Sequence, residues 1–152
     1  MEGERKLIGW WLIVDGMMNI RLMFNYEKLE VWKNAIALAD LIYSITRDFP
    51  PEGRFGLTNQ MRRAAVSISA NIAEGSSRIS RVDFARFIEI ATGSAFEVVS
   101  HVYIARNQGF LSESNFQAIY EASTELGKMS SGLRRSLLGS GDHQPSAINH
   151  AQ

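Results

Sequence analysis

Residues 81–107 constrain the fold more than any other part of this sequence. Apolar or small residues recur there at alternating spacings of four and three, and they are Phe84, Ile88, Ala91, Ala95, Val98, Val102 and Ala105. This repeat places all seven along one side of an α-helix, as a seam that packs against neighbouring helices at about 20°. The segment therefore predicts a long helix with helical neighbours.

Three other segments show helical periodicity. Residues 29–47 carry two adjacent apolar stripes, which predicts a helix buried over a wide arc, and the Pro50-Pro51 pair is expected to end it. Residues 57–74 are amphipathic, with apolar side chains within about 100° of arc. Residues 112–138 repeat the seam of the long segment and begin with Ser112, a favourable N-cap.

Local signals also bound the long helix. Ser80 is typical of an N-cap, and Asp83 stands three residues later, where a capping box has its acidic partner. Gly109 is typical of a helix C-terminus, and Gly75 is a weak breaker before the helix begins. These signals predict a helix from 81 to 107.

Four helices joined by connections of about four to ten residues predict an all-α fold, an antiparallel up-down-up-down four-helix bundle over residues 24–138. No β-strand pattern competes with this interpretation. Residues 1–23 are expected to form an extension outside the fold, because the regular helical pattern begins only after Met23. Residues 139–152 are polar, rich in glycine and serine, and are expected to be a disordered tail.

The N-terminal extension contains the apolar run LIGWWLIV. This run is too short to span a bilayer, which takes about 20 residues. A secretory signal is not expected, because Glu2 and Glu4 dilute the positive region and no small-residue cleavage site follows. The absence of cysteine is compatible with a reducing compartment, and the predicted localisation is cytoplasmic.

The sequence carries no recognisable catalytic set. Cysteine is absent, which excludes thiolate nucleophiles and cysteine-ligated metals. His101 stands alone in its helix, and together with Glu97 it does not make the repeated Glu-x-x-His pairs of a di-iron bundle. No phosphate-binding loop, dinucleotide fingerprint or nucleophile elbow occurs. The sequence therefore predicts a protein that is not an enzyme and uses no metal or cofactor.

Two helices present surfaces suited to a subunit interface. The outer stripe of the second helix is polar but compact, which suits close approach by another helix. The third helix carries an extra apolar and aromatic side, one step round from its seam. The predicted interface residues are Arg63, Ser67, Ala70, Asn71 and Glu74 on the second helix and Phe96, Val99 and Tyr103 on the third.

Charge is uneven although 16 basic and 16 acidic side chains cancel overall. Between residues 54 and 86 the basic side chains are all arginines, which suit phosphate recognition because a guanidinium bonds bidentately. The predicted nucleic-acid-binding residues are Arg62, Arg78, Arg81 and Arg86. The alternative is that these arginines form salt bridges within or between subunits.

Several motifs resemble a known family. The opening YEKLEVWK at 26–33 resembles that of the bacterial four-helix-bundle proteins encoded in intervening sequences of 23S rRNA genes. FGLT at 55–58, QMRRAAVSI at 60–68 and NIAEG at 71–75 are similar to the central signature of that family. The third-helix pattern is carried by Phe84, Arg86, Phe87, Gly93, Ser94 and Glu97. The resemblance covers about residues 24–138.

The resemblance implies a four-helix bundle assembled as a ring-shaped homopentamer, with binding to RNA or the ribosome but no established activity. A related bundle is a basic accessory protein of retroelements that engages reverse transcriptase, whereas this chain has no net charge. The expected function is an RNA- or ribosome-associated adaptor, whose partner would be ribosomal or another structured RNA. The alternative is a structural protein–protein interaction module, such as an accessory to a mobile-element enzyme like reverse transcriptase.

Overall fold

The computed structural model describes the backbone of residues 13–15, 19–21 and 24–139, and side chains from residue 24 onward except those of 53–55. Apart from Gly139, the tail of residues 139–152 that was expected to be disordered lies outside the described residues. Two short strands, β1 (Ile13–Asp15) and β2 (Asn19–Arg21), pair antiparallel within the N-terminal extension. The sequence pattern did not predict them, because three residues are too few to establish an alternating period.

Four long helices make up the fold of the described residues, and the all-α prediction is confirmed. They are α1 (Glu30–Thr46), α2 (Asn59–Ser76), α3 (Arg81–Asn107) and α4 (Glu113–Leu138). A 3₁₀ turn, Asn25–Lys28, precedes α1, and a helical turn, Pro51–Gly53, continues through the π-helical turn Arg54–Thr58 into α2.

The capping predictions are confirmed at two helix starts. The Ser80 hydroxyl accepts a hydrogen bond from the Asp83 amide at 3.3 Å, and the Ser112 hydroxyl accepts one from the Asn115 amide at 3.2 Å. Each serine therefore satisfies one of the amides that the first turn of a helix leaves unpaired.

Helices α1 and α2 end close to the predicted positions 47 and 74. Helix α1 ends at Thr46, and the chain then turns and buries Phe49 in the core. Pro51 instead begins a helical turn, a position where its missing N–H is not needed. Gly75 does not break α2, since it lies inside the last turn and is buried against α3.

The helices form a ring of contacts in chain order, with α1 beside α2 and α4, and α3 beside α2 and α4. The end of α1 meets the start of α2, where the Arg62 side chain donates to Thr46. The start of α3 meets the end of α4, where Arg81 donates to the Leu137 carbonyl. Sequential neighbours are therefore antiparallel, as predicted.

The two ends of the bundle differ in which helix termini meet there. The end where α1 stops and α2 begins is called the Thr46 end, and the end where α2 stops and α3 begins is called the Ser80 end. The core runs between them and buries the predicted α3 seam, apart from the half-buried Phe84. Within the described part of the chain, no helix is both long and apolar enough to cross a membrane.

Candidate interaction surfaces

The outward side of α3 exposes large apolar side chains. Phe96 is 73% exposed, and Ile90, Tyr103 and Ile104 are also exposed, while Val99 is half-buried. Isolated apolar residues on a surface are ordinary, but several on one helix are typical of a contact site. We call this set of five residues the α3 outer face.

The aromatic part of the α3 outer face continues onto α4. The Tyr103 ring lies 5.0 Å from the Phe116 ring and 6.3 Å from the Tyr120 ring, both in edge-to-face geometry. The Arg106 guanidinium lies 4.4 Å from the Phe116 ring centroid and is held 3.2 Å from the Glu113 carboxylate. Tyr103 is therefore fixed in place by its neighbours.

An open groove of about 370 Å³ lies between α3 and α4, next to Phe96. Val99 and Tyr120 line its apolar part. Ser123 lies at its floor, is buried, and its hydroxyl makes no hydrogen bond within the described part of the chain. Two of the predicted interface residues of α3, Phe96 and Val99, thus line this groove.

The predicted interface residues of α2 divide into two groups. The Ser67 hydroxyl lies 2.9 Å from the Ser94 hydroxyl of α3, and the Asn71 side-chain amide donates to the Ser67 carbonyl at 2.8 Å. These two polar side chains therefore serve the contact between α2 and α3 within the chain. Arg63, Ala70 and Glu74 remain exposed on the outward side.

The predicted interface residue Glu74 has a charged partner within the chain. Its carboxylate accepts from Arg78 at 2.5 Å, from the turn that follows α2. The Arg78 guanidinium also lies 4.6 Å from the Phe87 ring centroid. Both partners are about half exposed, so the pair contributes only modestly to stability.

The four arginines predicted to bind nucleic acid do not form one patch. Arg62 lies near the Thr46 end, whereas Arg78, Arg81 and Arg86 lie at the Ser80 end. Sixteen residues separate Arg62 from Arg78, which corresponds to about 24 Å along a helix. Both ends of α2 carry arginines, and the helix holds its ends apart.

Three of these arginines already have partners within the chain. Arg62 donates to the Thr46 hydroxyl at 2.9 Å, and Arg78 pairs with Glu74. Arg81 donates to the Leu137 carbonyl at 3.0 Å and also to that of Ser136, so it caps the end of α4. Arg86 is exposed and makes no hydrogen bond or ion pair among the described residues. The salt-bridge alternative thus accounts for Arg78 alone, since Arg62 and Arg81 bind uncharged oxygens.

A pocket at the Thr46 end was missed by the sequence analysis. It has a volume of about 310 Å³ and is lined by Thr46, Arg47, Thr58, Asn59 and Arg62. The sequence gives little indication of this pocket, because its residues come from two segments on either side of Pro50 and Pro51. Only the contact between α1 and α2 brings them together.

The described residues contain no group of three or more histidine, aspartate or glutamate side chains placed to hold a metal ion. His101 is half-buried on α3. The fold defines a four-helix-bundle protein that exposes large apolar side chains on α3.

Comparison with known proteins identifies the family. The family model described as 23S rRNA-intervening sequence protein matches residues 27–132, and the chain belongs to this family. A solved structure of a protein with unknown function, from the S23 ribosomal protein family of Bacteroides thetaiotaomicron VPI-5482, has the same fold with a TM-score of 0.63. The two chains are 24% identical over 69% of this chain and 98% of the other. No curated protein matches the chain.

Proposed function

We propose that this protein is a non-catalytic interaction module that assembles with further copies of itself through the α3 outer face. The observation that carries the proposal is the exposure of Phe96 and Tyr103, which lie two turns apart on one side of α3, together with that of Ile90 and Ile104 on the same helix. Burying one such side chain contributes about 1.5–3 kcal/mol, so their removal from water together is a substantial driving force for association.

The small outward face of α2 supports a particular partner surface. Ala70 lies there between the exposed side chains of Arg63 and Glu74. A small residue lets a neighbouring helix approach closely, so this face is the one that we propose for contact with Phe96 of another copy. A contact between two different faces repeats from copy to copy, and it forms a ring when the rotation between copies closes. The number five comes from the family resemblance.

Sedimentation velocity at micromolar concentration tests the assembly. We expect the wild-type chain to sediment as an oligomer and Phe96→Ser to sediment as a smaller species, because the substitution removes the largest exposed ring. Ile79→Ser is the matched control, since Ile79 is fully exposed in the turn before α3 and lies off the α3 outer face. A wild-type monomer of 17.0 kDa would contradict the proposal.

A second candidate function is the RNA- or ribosome-associated adaptor. It is supported by Arg86 and Arg135, which are exposed at the Ser80 end near Arg78 and Arg81. One copy offers few cations for tight binding, but a ring would multiply them, and multivalency raises avidity by about 10² or more. This function therefore depends on assembly, and the cytoplasm would be its compartment.

A further inference from the structure

The pocket at the Thr46 end has the chemistry of an anion site. Its lining residues are Thr46, Arg47, Thr58, Asn59 and Arg62, and every one of these side chains can donate a hydrogen bond. Two of the five are arginines, and none is a carboxylate. Its volume of about 310 Å³ lies at the lower end of the range for small-molecule sites.

Arg62 is held in a fixed orientation at this pocket. Its Nε donates to the Thr46 hydroxyl at 2.9 Å, and that hydroxyl donates in turn to the Ile42 carbonyl at 2.7 Å. The guanidinium also lies 4.7 Å from the Tyr43 ring centroid. These contacts use the Nε atom and one face of the Arg62 guanidinium. The two terminal nitrogens are left to donate parallel hydrogen bonds to a ligand.

Thr58 supplies a second and independent observation. It is 3% exposed and lines the pocket, yet its hydroxyl makes no hydrogen bond within the described part of the chain. Buried hydroxyls in folded proteins are nearly always paired, so an unpaired one next to a pocket indicates a missing partner. A ligand oxygen in the pocket would provide that partner once the Thr58 side chain rotated its hydroxyl toward the pocket.

The charges that line the pocket are positive. Arg47 is exposed and makes no ion pair among the described residues. The carboxylates that follow it in the chain, Asp48 and Glu52, are exposed and do not line the pocket. Two of the last carbonyls of α1, those of Ser44 and Thr46, are occupied because they accept from the Arg47 and Phe49 amides. The arginines therefore face the pocket without a neutralising carboxylate in its lining.

We propose that this pocket binds a phosphate monoester, with Arg47 and Arg62 on the phosphate oxygens and Thr58 and Asn59 on the remaining acceptors. A monoester is a dianion with three terminal oxygens, which matches two guanidiniums and two neutral donors. An adjoining groove of about 350 Å³ shares Asn59 and Arg62 with the pocket and leads past Tyr43. The groove provides room for the group that the phosphate is attached to.

Isothermal titration calorimetry at constant ionic strength tests this site with five probes. They are inorganic phosphate, adenosine monophosphate, adenosine, and two forms of a short RNA, one with a 5′ phosphate and one with a 5′ hydroxyl. We expect saturable binding of the phosphate-bearing probes and none of adenosine or the 5′-hydroxyl RNA at this site. The order of affinity among the phosphate-bearing probes then identifies the source of the phosphate.

Two variants and one control make the test specific. Arg47→Ala, a substitution at an exposed position that leaves the core intact, is expected to weaken phosphate binding by about tenfold. Thr58→Val is expected to weaken binding while raising the melting temperature of the free protein, because it removes an unpaired buried hydroxyl. Arg135→Ala, at the Ser80 end, should change neither the phosphate affinity nor the melting temperature.

Three results would overturn the proposal. They are the absence of saturable binding by any phosphate-bearing probe, equal binding of adenosine and its monophosphate, and an equal weakening of phosphate binding in Arg47→Ala and Arg135→Ala. The site does not depend on the proposed self-assembly, since a monomer contains the whole pocket.

Discussion

The close approach of Gly75 to α3 allows a quantitative prediction from one added methyl group. A Cβ at Gly75 would lie 2.6 Å from the Phe87 Cβ and 2.7 Å from the Phe84 ring. Carbon atoms in contact prefer about 3.5–4.0 Å, so the overlap is about 1 Å. The Phe84 ring can turn aside, but the Phe87 Cβ is bonded to the α3 backbone, and the helix itself would have to move.

Two effects of Gly75→Ala oppose each other. Alanine is the better helix former by about 1 kcal/mol, while overpacking costs about 1–3 kcal/mol. Because the overlap falls on an anchored atom, the upper end of that range applies. We therefore expect Gly75→Ala to lower the free energy of unfolding by about 2 kcal/mol.

Gly132→Ala is the matched control for this substitution. Gly132 is exposed inside α4, and a Cβ there would meet nothing within 4 Å. Gly132→Ala should raise the free energy of unfolding by about 1 kcal/mol, from helix propensity alone. Urea unfolding at a fixed protein concentration, followed by circular dichroism, measures both variants. If Gly75→Ala were as stable as Gly132→Ala, the close packing of α2 on α3 would be refuted.

Two other predictions concern exposed arginines. Arg86→Ala combined with Arg135→Ala should flatten the slope of log affinity against log salt for structured RNA by about 0.7–0.9 for each phosphate that the protein no longer neutralises. If RNA affinity depended neither on salt nor on Arg86 and Arg135, the RNA-binding surface would lie elsewhere. Arg63→Ala should weaken the oligomer by about 1–3 kcal/mol by leaving an acceptor of the next copy unpaired. An unchanged oligomer and melting temperature in that variant would argue against Arg63 as an interface residue.

The parts of the fold that were predictable from sequence rest on local signals. The bounds of α3 and the caps at Ser80 and Ser112 follow from side chains that act within four residues of each other. The burial of Phe49 beyond the end of α1 could not be predicted in the same way. Its ring lies 5.9 Å from that of Phe110, a residue far away in the chain.

The candidate sites were less predictable, because a helical face does not reveal what covers it. The stripe containing Ser67 and Asn71 was expected to meet another subunit, yet its hydrogen bonds run within α2 and to Ser94 of α3. The exposure of Phe96 was easier to anticipate, since a large ring next to the seam cannot enter a core already filled by the seam residues.

Arg63 connects the proposed assembly with the proposed phosphate pocket. It lies on the outward side of α2, and it also lines the groove that adjoins the pocket at Arg62. If the next copy covers this part of α2, a ligand extending into the groove would change the affinity of the two copies for each other. Thermodynamic linkage then requires assembly to change the ligand affinity by the same factor. A ligand confined to the pocket at the Thr46 end contacts neither Arg63 nor the α3 outer face. Inorganic phosphate would therefore bind the monomer and the oligomer with the same affinity.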